Sequence, residues 1–258
     1  MIIDCHTHIG RNSNIKATAS QLIASMDTAK IDKSFVFSGA LNDCPIEYVF
    51  EQIAPYKNRL YGVFGVHPLT TPTNDVVKEL EYIKSLYLDG SIVAVKFYTG
   101  YDHFYPNDQI LVKYLIMLEE IGCPVIFHCG DCLNTECKAK LKYSHPLGID
   151  DVAVDYPGIN FIIAHIGNPY IIDTAEVCYK NKNVFTDISG FVYGDFTYAD
   201  KVKWRKIINQ FLDIASSDKL LFGSDWPISN QKSYIKDTWP INVQESSDNV
   251  IKAFKLKI

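Results

Sequence analysis

The sequence predicts an α/β fold: a single (β/α)8 TIM barrel over residues 1–258, with its site at the carboxyl ends of the strands. Three observations predict it. Eight short apolar runs punctuate the chain, each followed by a helical or loop segment. The runs are nearly continuous in Val, Ile and Phe, as parallel strands covered on their outer face require. Polar residues that a buried strand would otherwise lack recur at one height in successive units.

The runs are MIIDCHTH (1–8), KSFVFSG (33–39), RLYGVFGVHP (59–68), SIVAVKFYTG (91–100), CPVIFHCG (123–130), INFIIAHIG (159–167), NVFTDISG (183–190) and KLLFGSDWP (219–227). Gly, Pro or Asn bounds them, which marks them as strands. Between them, residues 20–31 carry Leu22, Ile23, Met26 and Ala29 at helical spacing, with Ser20 as the expected N-cap. Residues 74–88 place Val76, Val77, Leu80, Ile83, Leu86 and Tyr87 on one stripe. Residues 107–121 and 200–214 behave alike, and 229–258 predict one or two helices closing the ring, with Lys252, Lys255 and Lys257 on a solvated face. The chain averages about 32 residues per unit, near the minimum for a βα repeat. The longer connections, 131–145 and 189–198, follow the fifth and seventh runs, at the end of a barrel where sites are built. An open doubly wound sheet would give the ends of the first, fifth, sixth and eighth strands no reason to meet.

The composition, 47% apolar and 21% charged, is that of a globular domain. A net charge of −5 argues against a nucleic-acid surface. No apolar run approaches the roughly 18 residues of a membrane span. The start lacks a basic region and a long apolar stretch, so no secretory leader is expected and the location is read as cytoplasmic. Seven scattered cysteines fit reduced thiols. Cys129 and Cys132 form a CxxC near Cys137 but lack the second pair of a structural zinc site, and read as a strand residue and a loop thiol.

Six runs end in a polar group. They carry His6 and His8, His67, Lys96, His128, His165 and Asp225 in turn. Strand alternation puts His6 and His8 on one face, and puts Lys96 and Tyr98 inward if Val95 and Phe97 face outward. His128 follows His6 by 122 residues, His165 follows His128 by 37, and Asp225 follows His165 by 60. These are about four, one and two units, so the groups ring one mouth. Imidazoles and a carboxylate converging there suit a divalent metal, zinc first, with manganese or iron as alternatives. Without a metal or partners they would be costly to bury. His103 and His145 fall outside this register and read as loop residues.

With these residues in view, the sequence resembles the metal-dependent amidohydrolase superfamily. It looks closest to the amidohydrolase-related branch, which includes aminocarboxymuconate semialdehyde decarboxylase, related aromatic-acid decarboxylases and lactonases. IDCHTH, GVHP, VKFY, VIFHCG, FIIAHIGNP and LFGSDWP carry the resemblance, over residues 3–227. It implies that His6, His8, His128 and Asp225 hold one catalytic metal, and that Asp225 shuttles the proton of metal-activated water. His165 resembles the histidine that binds a second metal in two-metal members, or serves as acid and electrophile in one-metal members. Lys96 matches either a carbamylated bridging lysine or a cation that binds a substrate carboxylate or pairs with Asp187. TatD-type deoxyribonucleases share GVHP and the HxH opening, but would offer a glutamate where this chain has AVKFYTG.

The first functional reading is a hydrolase of a small-molecule amide, lactone or ester, with His67, Lys96 and Tyr98 contacting substrate. The second is a non-oxidative decarboxylase of an unsaturated or aromatic carboxylic acid, for which Arg11 is the arginine best placed to grip a carboxylate. The third, a metal-binding barrel without chemistry, is disfavoured by the intact ligand set. Tyr98, Tyr101, Phe104, Tyr105, Phe191, Tyr193 and Trp226 are candidate walls for a planar or apolar ligand. Neither a nucleic acid nor a membrane is an expected partner, and a homo-oligomer is compatible with the sequence.

Overall fold

The computed structural model describes residues 1–11, 16–39, 44–132, 138–238 and 240–256. Cys137, Lys257 and the side chain of Arg11 lie outside the described residues. Eight strands form one sheet in chain order: β1 (Ile3–His8), β2 (Lys33–Phe37), β3 (Leu60–Val66), β4 (Ile92–Phe97), β5 (Val125–Phe127), β6 (Phe161–Ile163), β7 (Val184–Asp187) and β8 (Leu220–Leu221). Every neighbouring pair is parallel. The chain beyond β8 joins β1 through Cys5 N–H to Phe222 O (2.9 Å), Asp225 N–H to His6 O (2.8 Å) and His8 N–H to Trp226 O (2.7 Å). These bonds close the barrel and set Asp225 beside β1.

Helices α1 (Ala19–Ala29), α2 (Ile46–Ile53), α3 (Val76–Leu88), α4 (Val112–Ile121), α5 (Leu147–Asp155), α6 (Ile171–Lys180) and α7 (Tyr198–Leu212) follow the strands in turn. Their apolar faces and the outward strand residues, Val95 and Phe97 among them, form one large core. A second core fills the barrel itself, from Ile3, Cys5, Phe35, Phe37, Val63 and their neighbours. Two helices close the chain, α8 (Gln231–Asp237) and α9 (Val243–Ala253). Val250, Ala253 and Phe254 floor the inner core, with the Phe254 ring edge-on to Phe35 at 4.8 Å. The lower end of the barrel is therefore plugged, and the cavity lies at the other.

Local chemistry corrects several expectations. Helix α1 is capped by Thr18, not Ser20, because Gln21 stands at the third helical position and closes a reciprocal box with Thr18. Val77 is 62% exposed; Ile83 and Leu86 are the buried side chains of α3. Lys255 is not simply solvated, since its ammonium donates to the carbonyls of Gly122 and Gly158. Among the described residues no helix is long and apolar enough to cross a membrane.

Candidate active site

The site starts from an irregularity in β1. Asp4 pairs with Ser34 and Thr7 with Val36, so Cys5 and His6 together stand opposite Phe35. This bulge turns two consecutive side chains inward. Ile3 and Cys5 join the inner core, and His6 and His8 rise above it into the mouth. Asp4 points the other way and is fully buried. It accepts from Ser224 N–H (2.9 Å), Ser224 Oγ–H (2.6 Å) and Gln231 Nε2 (2.8 Å), tying down the loop that carries Asp225. Burial raises its carboxyl to about 6 against those hydrogen bonds.

Asp225 lies beyond β8 with φ 65°, and His165 lies in a single tight turn after β6 with φ 62°. Left-handed backbone is uncommon for residues other than glycine and costs on the order of 1–3 kcal/mol where it is strained. Main-chain bonds hold both residues there: Asp225 N–H to His6 O, and His165 N–H to Asp187 Oδ1 at 3.0 Å.

The mouth encloses a cavity of about 480 Å³. His6, His8, Lys96, His128, His165 and Asp225 line it together with Tyr98, Tyr101, Asp131, Cys132, Phe191 and Tyr193. Residues after β5 and β7 supply much of this wall, in the long connections the sequence marked out. Ligand atoms of His6, His8 and Asp225 lie within 4.8 Å of one another. Asp225 Oδ1 is 3.2 Å from His8 Nε2 and 3.8 Å from His6 Nε2. Ligands about 2.1 Å from a tetrahedral zinc would be about 3.4 Å apart, so this donor set fits a divalent ion.

His6 is prepared for such a role. Its Nδ1 lies 2.9 Å from Asp187 Oδ2, which fixes the proton on Nδ1 and leaves Nε2 bare. Burial lowers its imidazole to about 4, so it is neutral at pH 7. Burial would raise Asp225, but the hydrogen bond from His8 and the charges of His165 and His6 hold it well below the usual carboxylate range. His6, His165 and Asp187 make a second cluster of ligand atoms. Its carboxylate is already spent: Oδ2 on His6, and Oδ1 on the His165 N–H, the Ser189 N–H (3.1 Å) and the Ser189 hydroxyl. That cluster is a brace behind the first site.

Other expected residues fall differently. His128 lines the cavity, but its Nε2 lies 3.1 Å from Asp131 O, so it is not gathered with the other three donors. Burial, then His165 and Lys96, push its imidazole well down. His67 does not line the cavity; its ring stacks on Tyr98 at 5.4 Å, and Nδ1 meets Asp102 Oδ2 at 2.8 Å. The Tyr98 hydroxyl is committed to Ser38 O. Lys96 is 1% exposed, and its Nζ has no hydrogen-bond partner among the described residues, so it makes no bonded pair with Asp187. Phe104 is buried against Phe97, Tyr105 packs on Tyr143, and Trp226 lines a separate surface groove. His103 and His145 also lie away from the cavity. The sequence pointed to Asp187 only as a partner for Lys96; its hold on His6 and His165 was missed, as were Ser189 and the structural tie at Asp4. Asp187 ends β7, at the height of the other polar groups.

Gly190 packs closely against His165 and Asp225. It has φ +70°, and a Cβ there would lie 2.7 Å from His165 Nδ1 and 3.0 Å from Asp225 Oδ2. Gly190→Ala is therefore expected to cost on the order of 1–2 kcal/mol in backbone conformation and to push both groups aside. A lower Tm and weaker retention of a divalent metal on dialysis would show it; unchanged values would mean the loop yields freely.

The sequence profile described as amidohydrolase matches residues 3–255. The chain belongs to the amidohydrolase family. No curated protein matches it. Solved structures of the same fold are distant in sequence. A probable 2-pyrone-4,6-dicarboxylic acid hydrolase from Acinetobacter baumannii, with citric acid bound, is 18% identical over 99% of each chain, with a TM-score of 0.71. An amidohydrolase from Burkholderia multivorans with bound zinc is 12% identical over 99% of each chain, with a TM-score of 0.71. A 5-carboxyvanillate decarboxylase from Novosphingobium aromaticivorans, with manganese and a nitrobenzoic acid, is 12% identical over 99% of this chain and 96% of that one, with a TM-score of 0.70. Family membership thus brings a divalent metal to a donor set that already fits one.

Proposed function

We propose that the protein is a metal-dependent hydrolase of a small molecule, cleaving an amide, lactone or ester bond. The Asp225 carboxylate carries this reading. It is held ionised, and Oδ1 faces the two histidines. Its Oδ2 makes no hydrogen bond to a described residue and borders the cavity beside Gly190. A divalent ion held by His6, His8 and Asp225, with His128 joining once its Nε2 leaves Asp131 O, would polarise a carbonyl and acidify water there. Zinc suits these donors best, with manganese or iron as alternatives. Asp225 accepts the proton of the attacking water and returns it to the leaving group. His165 stands close by to exchange the second proton. Lys96, the one lysine lining the cavity among the described residues, binds an anionic oxygen of the substrate. Tyr98, Tyr101 and Phe191 flank a planar or apolar body. One ion suffices in this reading, because the Asp187 oxygens are already engaged.

Lys96 also favours the second reading, decarboxylation of an unsaturated or aromatic carboxylic acid. An unpaired ammonium is a ready grip for a carboxylate, and no arginine lines the cavity among the described residues. Metal analysis by inductively coupled plasma mass spectrometry, beside product analysis on a panel of amides, lactones, esters and aromatic acids, tests both. About one ion per chain, lost in His6→Ala/His8→Ala, with bond cleavage and no carbon dioxide, is the expected result. Carbon dioxide released without hydrolysis would replace the first reading by the second. Failure to retain any metal after reconstitution would overturn both.

A further inference from the structure

Behind the cavity, one carboxylate serves two imidazoles. Asp187 is 1% exposed at the end of β7, and its Oδ2 accepts from His6 Nδ1–H. Its Oδ1 faces the Ser189 hydroxyl, and that same hydroxyl oxygen lies 2.9 Å from His165 Nδ1. Counting protons settles the directions. A hydroxyl has one proton, and a carboxylate oxygen that already takes N–H donors has none to give. Asp187 Oδ1 accepts from the backbone N–H of His165 (3.0 Å) and of Ser189 (3.1 Å), so it is an acceptor toward the hydroxyl as well. The short contact between Ser189 and Asp187 therefore uses the hydroxyl proton. Ser189 Oγ is left as an acceptor, and only a proton on His165 Nδ1 can fill the second contact.

We infer that Asp187 and Ser189 are positioning residues which lock neutral His165 in the Nδ1–H form, with a bare Nε2 left for the cavity. His165 then enters the reaction as a proton acceptor. It donates from Nε2 only after taking up a second proton, and the neutral ring supplies no hydrogen bond to an oxyanion. This differs from an electrophilic role for neutral His165. The same brace holds His6 in the form whose Nε2 faces the metal centre, so one buried carboxylate sets the tautomer of a ligand and of an acid–base group together.

The inference deepens the proposed function by defining His165, but its test needs no turnover. Long-range proton–nitrogen NMR of the histidine rings in the zinc-loaded protein, with His165 assigned from His165→Ala, reads the tautomer directly. The expected spectrum shows a protonated-type Nδ1 and a lone-pair-type Nε2. Ser189→Ala is expected to shift His165 toward a mixture of tautomers, and Ser189→Thr to restore the single form. A protonated-type Nε2 in the wild type, or a spectrum that Ser189→Ala leaves unchanged, would overturn the inference. Either result leaves the hydrolytic reading standing. Absence of turnover with an Nδ1–H His165 would sink that reading alone.

Discussion

Asp225→Asn is expected to lower kcat by about 10²–10⁴-fold, the usual worth of a general acid–base group. The amide keeps the shape and an oxygen for His8, but cannot take a proton from water. Asn also tolerates left-handed backbone at the φ of 65° that this position requires. The fold should therefore survive with a lower Tm, because the carboxylate is held ionised against the cost of burial by His8, His165 and His6, and the amide loses that stabilisation. Metal content must be measured alongside, since Asp225 Oδ1 also faces the two histidines. Lost turnover in a folded variant that still holds metal isolates the proton-transfer role. Full turnover in that variant would remove Asp225 as the base and with it the observation on which hydrolysis rests.

Lys96→Met is expected to separate function from stability. A charge-assisted hydrogen bond contributes about 1.5–3 kcal/mol, so losing it should raise KM for an anionic substrate by about 10–100-fold. The same change should raise Tm, because Met fills similar volume without an unpaired buried ammonium. At about 2–4 °C per kcal/mol for a chain of this size, a rise of several degrees is expected. The pH dependence gives a second signature. Burial lowers the Lys96 pKa from 10.5 to about 8, opposed by Asp187 and other negative groups. A depressed folded-state pKa means the folded protein releases this proton first. The burial cost is fully present below about pH 8 and is relieved as pH climbs toward 10.5, so wild-type stability should gain over that window. Lys96→Met should lose that gain. A lower Tm, or an unchanged pH slope, would show that Lys96 is held by partners the cavity does not reveal.

Much of the site was legible because barrel topology converts sequence spacing into height. His6, His8, His128, His165 and Asp225 recur near unit intervals, and all five line one cavity. Residues whose place depends on side-chain packing were not legible. His67 shares the register of the ring, yet its imidazole packs against Tyr98 and bonds Asp102. Phe104 and Trp226 sit in mouth-side segments, but Phe104 joins the outer core and Trp226 lines a different groove. Spacing reports which end of the barrel a residue occupies, and rotamer and neighbour decide which way it points.

The sequence by itself determined the eight-unit architecture, the buried alternation of β4 and the end of the barrel at which polar groups collect, because periodicity and strand burial are local properties. Only the tertiary structure decided the working geometry. The bulge in β1, the left-handed turns at His165 and Asp225, and the brace from Asp187 through Ser189 arise from hydrogen bonds between segments far apart in the chain. His6 and Asp187 are 181 residues apart, and Asp4 and Ser224 are 220 apart. No local pattern encodes such a partner. It emerges when closure of the barrel brings the first strand against the last, and each buried donor and acceptor must find its match.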